Sequence, residues 1–434
     1  MIGVLSPHEA MTIDRQRGLS RRAHWAGGDK LISRLMAEAL ARPDMVSLAA
    51  GFVDQLTLPV EATREAFEAL WSDPARARAA LQYGTTIGHV PLREAILARL
   101  AAADGTAGNR RPSVDQVVVT AGSNQLLHLA ADTLLDAGDI VLSAAPSYFV
   151  FMATLANVGA RTIGVETDQQ GIVPEALEQE LARRAAAGEL ARVKAIYIVS
   201  YYDNPMGATT SLVRRQRLLE IAQRWSREGT IYVIEDAAYR ELRYYGDDVP
   251  SMLALDDGER VLHAGTFSKP YSPGIRVGWG ILPRKLVAPL LAQKGNVDFG
   301  SPHFNQVLMA TALELGLFDR HVAGIRESYR RKLDATLKAA EEELQPLGVQ
   351  WVRPGGGLYV WLKLPETIDT GADGRLFRWA VADGMLYVPG ECCYPQEGSP
   401  RRHNMLRLSF GVPSVEEICR GIRTLARAIR SIST

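Results

Sequence analysis

Along the middle of the chain, short apolar runs rich in β-branched residues recur at 117–120 (VVVT), 140–143 (IVLS), 161–165 (RTIGV), 195–200 (AIYIVS), 231–235 (IYVIE), 261–265 (VLHAG) and 277–282 (VGWGIL). Most are separated by stretches with helical spacing. Runs this apolar suit strands buried on both faces. Strand–helix alternation predicts an α/β fold with a mostly parallel seven-stranded sheet sandwiched by helices.

Upstream, residues 1–28 are polar, carry Arg15, Arg17, Arg21 and Arg22, and predict an extended arm. Leu31, Ile32, Leu35, Met36, Ala39 and Leu40 repeat with helical spacing up to Pro43. VSLAAGF then reads as a short strand into a turn at Gly51, and a Gly-rich loop from Tyr83 leads into a helix over 90–103. Downstream, 318–345 has a long helical pattern. A smaller α+β part starts near Gly348 with a hairpin turning at Gly355 to Gly357. It continues through helix LFRWAVADG, a strand toward Val388, strand MLRLSF and a closing helix, where Ser414 and Glu417 have capping-box spacing. The expected division is an arm plus part of the small domain over 1–55, a large domain over 56–330 and a small domain over 331–434.

Composition changes little in this picture. The chain has 434 residues, and its 49 basic residues balance 49 acidic ones, so nothing points to nucleic acid or a membrane surface. Three cysteines cannot build a disulfide framework and fit a reducing cytoplasm; no His or Cys cluster has metal spacing. No apolar run reaches the roughly 18 residues that span a bilayer. The N-terminus lacks the basic-then-apolar order of a secretory signal.

The candidate chemistry gathers at the strand ends, where ligands of open α/β sheets sit. In 261–280, Lys269 stands between a strand and a Pro-rich turn, flanked by Thr266 and Ser268 and followed by Arg276. A guanidinium and two hydroxyls suit a phosphate, and the lysine between them suits a Schiff base. That combination fits pyridoxal phosphate. The turn Ala121-Gly122-Ser123-Asn124 before a helix makes an anion site. Tyr148, after the next strand, can stack on a flat heterocycle. The Asn204-Pro205 turn can aim the Asn204 amide at the phenolic oxygen of such a ring, and Tyr239 reaches the same oxygen. Asp236 ends an apolar strand, where a buried carboxylate needs a cation such as a protonated pyridine nitrogen; a helix N-cap is the alternative. No G-x-G-x-x-G dinucleotide fingerprint and no Walker loop are present.

The order Thr-Phe-Ser-Lys-Pro-Tyr-Ser-Pro-Gly-Ile-Arg-Val-Gly-Trp over 266–279 resembles the lysine signature of class I/II aminotransferases, PLP-dependent transferases of fold type I. Its nearest likeness is to the 2-aminoadipate and kynurenine aminotransferase branch. The resemblance implies a cytoplasmic homodimer in which Tyr83 crosses to the partner's phosphate. It implies that Arg407, in Arg-Leu-x-Phe, binds the substrate α-carboxylate; an internal ion pair is the alternative. Gly51 lies beside the substrate, Arg34 contacts its distal end or faces solvent, and Tyr359 forms a substrate wall. The implied reaction moves an amino group between an L-amino acid and a 2-oxo acid. Two departures, Asp203 and Met206 where the family has Gln and Thr, leave open elimination, decarboxylation, cyclisation or oxidation by the same residues, and Cys392-Cys393-Tyr394 is a further departure. A transcription regulator built on this fold would need a DNA-binding domain ahead of it, and the arm before Lys30 is too short for one.

Overall fold

The computed structural model describes residues 18, 20–25, 42, 44–105, 112–256, 260–399 and 401–433. After β1 (Val46–Ser47), the central sheet is built from β2 (Val117–Thr120), β3 (Ile140–Ala145), β4 (Arg161–Asp168), β6 (Val193–Val199), β7 (Tyr232–Asp236), β8 (Val261–Thr266) and β9 (Gly278–Ile281), with β5 (Gly171–Ile172) folded back on the end of β4. Their order is β4-β3-β6-β7-β8-β9-β2. Pairings from β4 through β8 are parallel; β9 runs antiparallel to both neighbours. All seven expected strands are present. Two short strands widen the sheet: β5, and a later segment, β14 (Glu397–Gly398), that pairs with β4.

Every residue of β2, β3, β7 and β8 is buried. Successive side chains point to opposite faces. Val118, Val141, Ile234 and Leu262 pack into one apolar core, while Val117, Ile140, Val233 and Val261 pack into the other. The same alternation sends Asp236 to the first face and Glu235 to the second.

The C-terminal part holds β10 (Gln350–Trp351), β11 (Tyr359–Lys363), β12 (Met385–Leu386), β13 (Val388–Pro389) and β15 (Met405–Ser409). Its antiparallel sheet runs β10-β11-β15-β13, and β12 pairs with β1. The capping box forms as expected: the Ser414 amide donates to Glu417 at 2.7 Å and the Glu417 amide to the Ser414 hydroxyl at 3.2 Å. The hairpin is shorter than its sequence pattern, because the glycine turn docks elsewhere. The Gly357 amide donates to the Leu242 carbonyl, and the Tyr244 and Tyr245 amides donate to the Gly355 carbonyl. The segment VSLAAGF is strand only at β1 and then continues without regular structure to the cavity wall. The helix expected over 30–41 falls outside the described residues.

A buried network pins β7. Glu235 accepts from Arg215 Nη1 at 3.0 Å, Ser200 Oγ at 2.9 Å and the Met252 amide at 3.0 Å, and pairs with His263 Nδ1 at 2.9 Å. Arg215 is fully buried and also donates to the Ser200 and Thr210 carbonyls. Burial pushes the Glu235 carboxyl up, but the hydrogen bond and charge of His263 and the Arg215 guanidinium outweigh it and hold it at about 2. That value lies below the ordinary 4.5, so the stabilisation is complete above about pH 4.5 and is lost as pH falls toward 2. Glu235→Gln strands Arg215 and is expected to cost about 3–5 kcal/mol at pH 7 and to blunt the acid dependence of denaturant unfolding. Superimposable unfolding curves for the two proteins would contradict this.

Candidate active site

The ends of the central strands and the C-terminal sheet enclose a cavity of about 380 Å³, within the usual range for small-molecule sites. It brings together Lys269, Asp236, Tyr239, Ser123, Asn124, Tyr148, Asn204, Thr266, Ser268, Arg276, Gly51, Tyr359 and Arg407. Two expected residues are not among these. Arg34 lies outside the described residues. Tyr83 does not line the cavity; it is 83% exposed and edge-on to Phe299, with ring centroids 5.7 Å apart.

One end of the cavity is a cradle for an anion. The helix Ser123–Leu134 starts there, so free backbone N–H groups face it. Thr266 Oγ1 donates to Ser268 Oγ at 2.9 Å. Arg276 arches over the turn with φ 49°, donating to Ser268 Oγ at 3.4 Å and to the Pro273 and Ala121 carbonyls at 3.1 and 3.0 Å. Among the described residues no carboxylate pairs with it. Gly122 lets the guanidinium approach: a Cβ there would sit 2.3 Å from Arg276 Nη2, and its φ of +82° is one that side chains avoid.

Next to this cradle, Asp236 ends β7. It is 4% exposed and accepts from Tyr197 Oη at 3.0 Å and the Ala238 amide at 3.1 Å. It caps a turn rather than a helix, since residues 238–240 are not helical. Burial raises its carboxyl above the ordinary range despite these bonds. Arg215 and His263 are engaged by Glu235 on the opposite face. A buried acid in this condition calls for a positive charge in the cavity.

Elsewhere on the cavity wall, Tyr239 Oη and Tyr359 Oη are 3.1 Å apart. Arg407, on β15, is 2% exposed and lies over the Tyr359 ring. Its Nη1 donates to Asn204 Oδ1 and its Nη2 to the Ala49 carbonyl, both at 2.7 Å. Its Nε is buried without a partner, and no carboxylate pairs with it among the described residues, so the internal ion pair is absent there. Lys269 Nζ donates to the Gly51 carbonyl at 2.8 Å. The cavity thus joins three cations lacking an acid and one acid lacking a cation.

Sequence reasoning missed Phe149, which lies under the Arg407 guanidinium at 5.7 Å, and the apolar wall of Phe52, Val150 and Leu386. Phe149 follows Tyr148 directly, so the aromatic pair was its only signal.

A phosphorylated, cationic heterocycle with an aldehyde fits every unmet group here: the anion cradle, the solitary acid and the lysine. Fold and site together define a pyridoxal-phosphate-dependent transferase of fold type I. A family model described as "Aminotransferase class I and II" matches residues 43–425, and the chain belongs to that family. It is 34% identical to an aromatic-amino-acid aminotransferase of Thermococcus litoralis, with 97% of this chain and 96% of the relative covered. The structure of a kynurenine aminotransferase from Pyrococcus horikoshii superposes with TM-score 0.88 at 32% identity, over 98% of this chain and 100% of that one. An α-aminoadipate aminotransferase from Thermus thermophilus, complexed with N-(5'-phosphopyridoxyl)-L-leucine, superposes with TM-score 0.82 at 30% identity, over 96% and 99%. The protein is an aminotransferase with pyridoxal phosphate as cofactor, acting on an amino acid and a 2-oxo acid. Elimination, decarboxylation, cyclisation and oxidation are not favoured. Among the described residues no helix is long and apolar enough to cross a membrane.

Gly122→Ala is expected to weaken cofactor binding on the order of tenfold, since it forces a Gly-only conformation and displaces Arg276. Titration of apoenzyme with pyridoxal phosphate measures this; equal affinity would mean that the cradle does not hold the phosphate.

Proposed function

We propose that Lys269 anchors the cofactor and moves the reacting proton, and that Arg407 selects α-amino acids by their carboxylate. The observation that carries this reading is the charge mismatch: three unpaired cations and one unpaired acid around one cavity. Ser123, Asn124, Thr266, Ser268 and Arg276 hold the phosphate. Asp236 would keep a proton on the pyridine nitrogen, and Tyr148 would pack against the ring. Asn204 and Tyr239 would hold the phenolic oxygen. When bound, the cofactor would supply an electron sink for carbanion chemistry. Lys269 Nζ would anchor it and would take the proton from the substrate Cα. Arg407 orients the Cα–H bond by binding the carboxylate bidentately.

The wall of Phe52, Phe149, Val150 and Leu386 supports an amino donor with a large apolar or aromatic side chain. Tyr83 and Phe299, 83% and 61% exposed, support a homodimer in which Tyr83 reaches the partner's phosphate. Three free cysteines support a reducing cytoplasm.

Mixing holoenzyme with single amino acids, without an oxo acid, tests the reading. The visible cofactor band should fall as the amine form of the cofactor and a 2-oxo acid appear, with phenylalanine and tyrosine ahead of alanine. Lys269→Ala should lose the half-reaction. Arg407→Ala should raise KM for the donor on the order of 100-fold, the loss of a charge-assisted bidentate contact. Normal turnover by the lysine variant would end this account. Sedimentation should give the mass of two chains.

A further inference from the structure

The departure at position 203 leaves a carboxyl group that the reaction as described does not use. Asp203 precedes Asn204 in the turn that follows β6. The turn is closed by the Asp203 amide donating to the Ala208 carbonyl at 2.8 Å and the Gly207 amide donating to the Asp203 carbonyl at 2.6 Å. The side chain is 7% exposed, and its Oδ1 is buried without a hydrogen-bond partner. It has no ion pair among the described residues. Asp236 on β7 is the titratable group that acts on it, and Asp203 acts in turn on Tyr197 on β6 and Cys393 in the turn after β13. None of them is a cation. The Met206 backbone N–H is the one hydrogen-bonding influence on the carboxyl.

An ionised carboxylate in this place would be a second buried anion beside Asp236, with nothing to balance it. Burial first, and the Asp236 charge second, push the Asp203 carboxyl well above the ordinary carboxylate range. Cys393 is likewise pushed up by burial, so its thiol supplies no further negative charge near neutral pH.

We propose that Asp203 is a positioning residue that works as a neutral carboxylic acid, its side chain bracing through the Met206 backbone N–H the turn that aims Asn204 while leaving Asp236 the sole buried anion beside the cofactor ring. This rests on the cofactor reading above and extends it. The Asn204 amide holds Arg407 at 2.7 Å, so the brace acts on the substrate end of the site as well as on the ring. When Asp203 loses its proton at alkaline pH, the added negative charge strengthens the hold of the cofactor's basic nitrogens on their protons.

Two measurements test this. Infrared spectra of wild-type and Asp203→Asn protein, with and without cofactor, should differ at neutral pH by the carbonyl stretch of one protonated carboxylic acid. A carboxylate band in its place would overturn the proposal. The second is the pH titration of the visible band in holoenzyme. Asp203→Asn, neutral at every pH, should keep the wild-type midpoint near neutrality and depart from wild type only in the alkaline range. An anionic Asp203 would instead make the Asn variant's midpoint fall below wild type, which sinks the idea. Asp203→Ala, lacking the brace, should raise donor KM about fivefold, and Asp203→Asn should restore it; a midpoint shift shared by both variants contradicts the neutral state. Complete absence of the visible band in the wild type would reject the cofactor reading itself, whereas a normal band with no link to position 203 rejects only this inference.

Discussion

The arrangement turns on one buried acid. Asp236 ends a strand whose every residue is sequestered, and Arg215 and His263 are taken up by Glu235 on the far face of the sheet. Keeping a carboxylate in such a place costs several kcal/mol unless a positive charge answers it. A protonated pyridine ring would give that answer, and the same proton would let the ring draw electrons from a bound substrate. On the reading proposed above, stability of the loaded protein and reactivity of the ring would have a common origin. The Glu235 network matters for the same reason: by engaging Arg215 and His263 it leaves the site one charge short.

Geometry around that acid is shared between distant parts of the chain. The central sheet contributes the anion cradle, Asp236 and Lys269. The C-terminal sheet contributes Tyr359 and Arg407. Tyr239 and Tyr359 meet at 3.1 Å, and Arg407 meets Asn204 at 2.7 Å, so the two sheets touch through groups that line the cavity. The glycine turn at 355–357, tied to residues 242–245, holds that contact together.

Much of this was legible in the sequence. The seven apolar runs gave the sheet because full burial leaves no polar alternation to confuse the reading. Most of the site residues were legible because they stand at or just after a strand end, where a polar residue breaks an apolar run; Arg407 was legible as a charge inside the apolar strand β15. Other features were not. The short extent of the strand before Gly51 and the docking of the glycine turn depend on contacts with residues far along the chain. Phe149 was hidden because an aromatic at a helix start looks like ordinary core. The expected Tyr83 role concerns a surface of this chain rather than its cavity, so its exposure beside Phe299 is compatible with that role without testing it.

The stretch from Ala49 to Gly51 has a quieter consequence. Its carbonyl at 49 receives Arg407 and its carbonyl at 51 receives Lys269. The spacing between the Arg407 and Lys269 head groups is thus set by main chain, not by side chains. Substitutions at 49 and 50 that respect the chain path leave this ruler unchanged, whereas at 51 even a methyl would meet Tyr359 Oη at 2.6 Å. Sequence drift can reshape the rest of the cavity wall while the separation of these two head groups stays fixed.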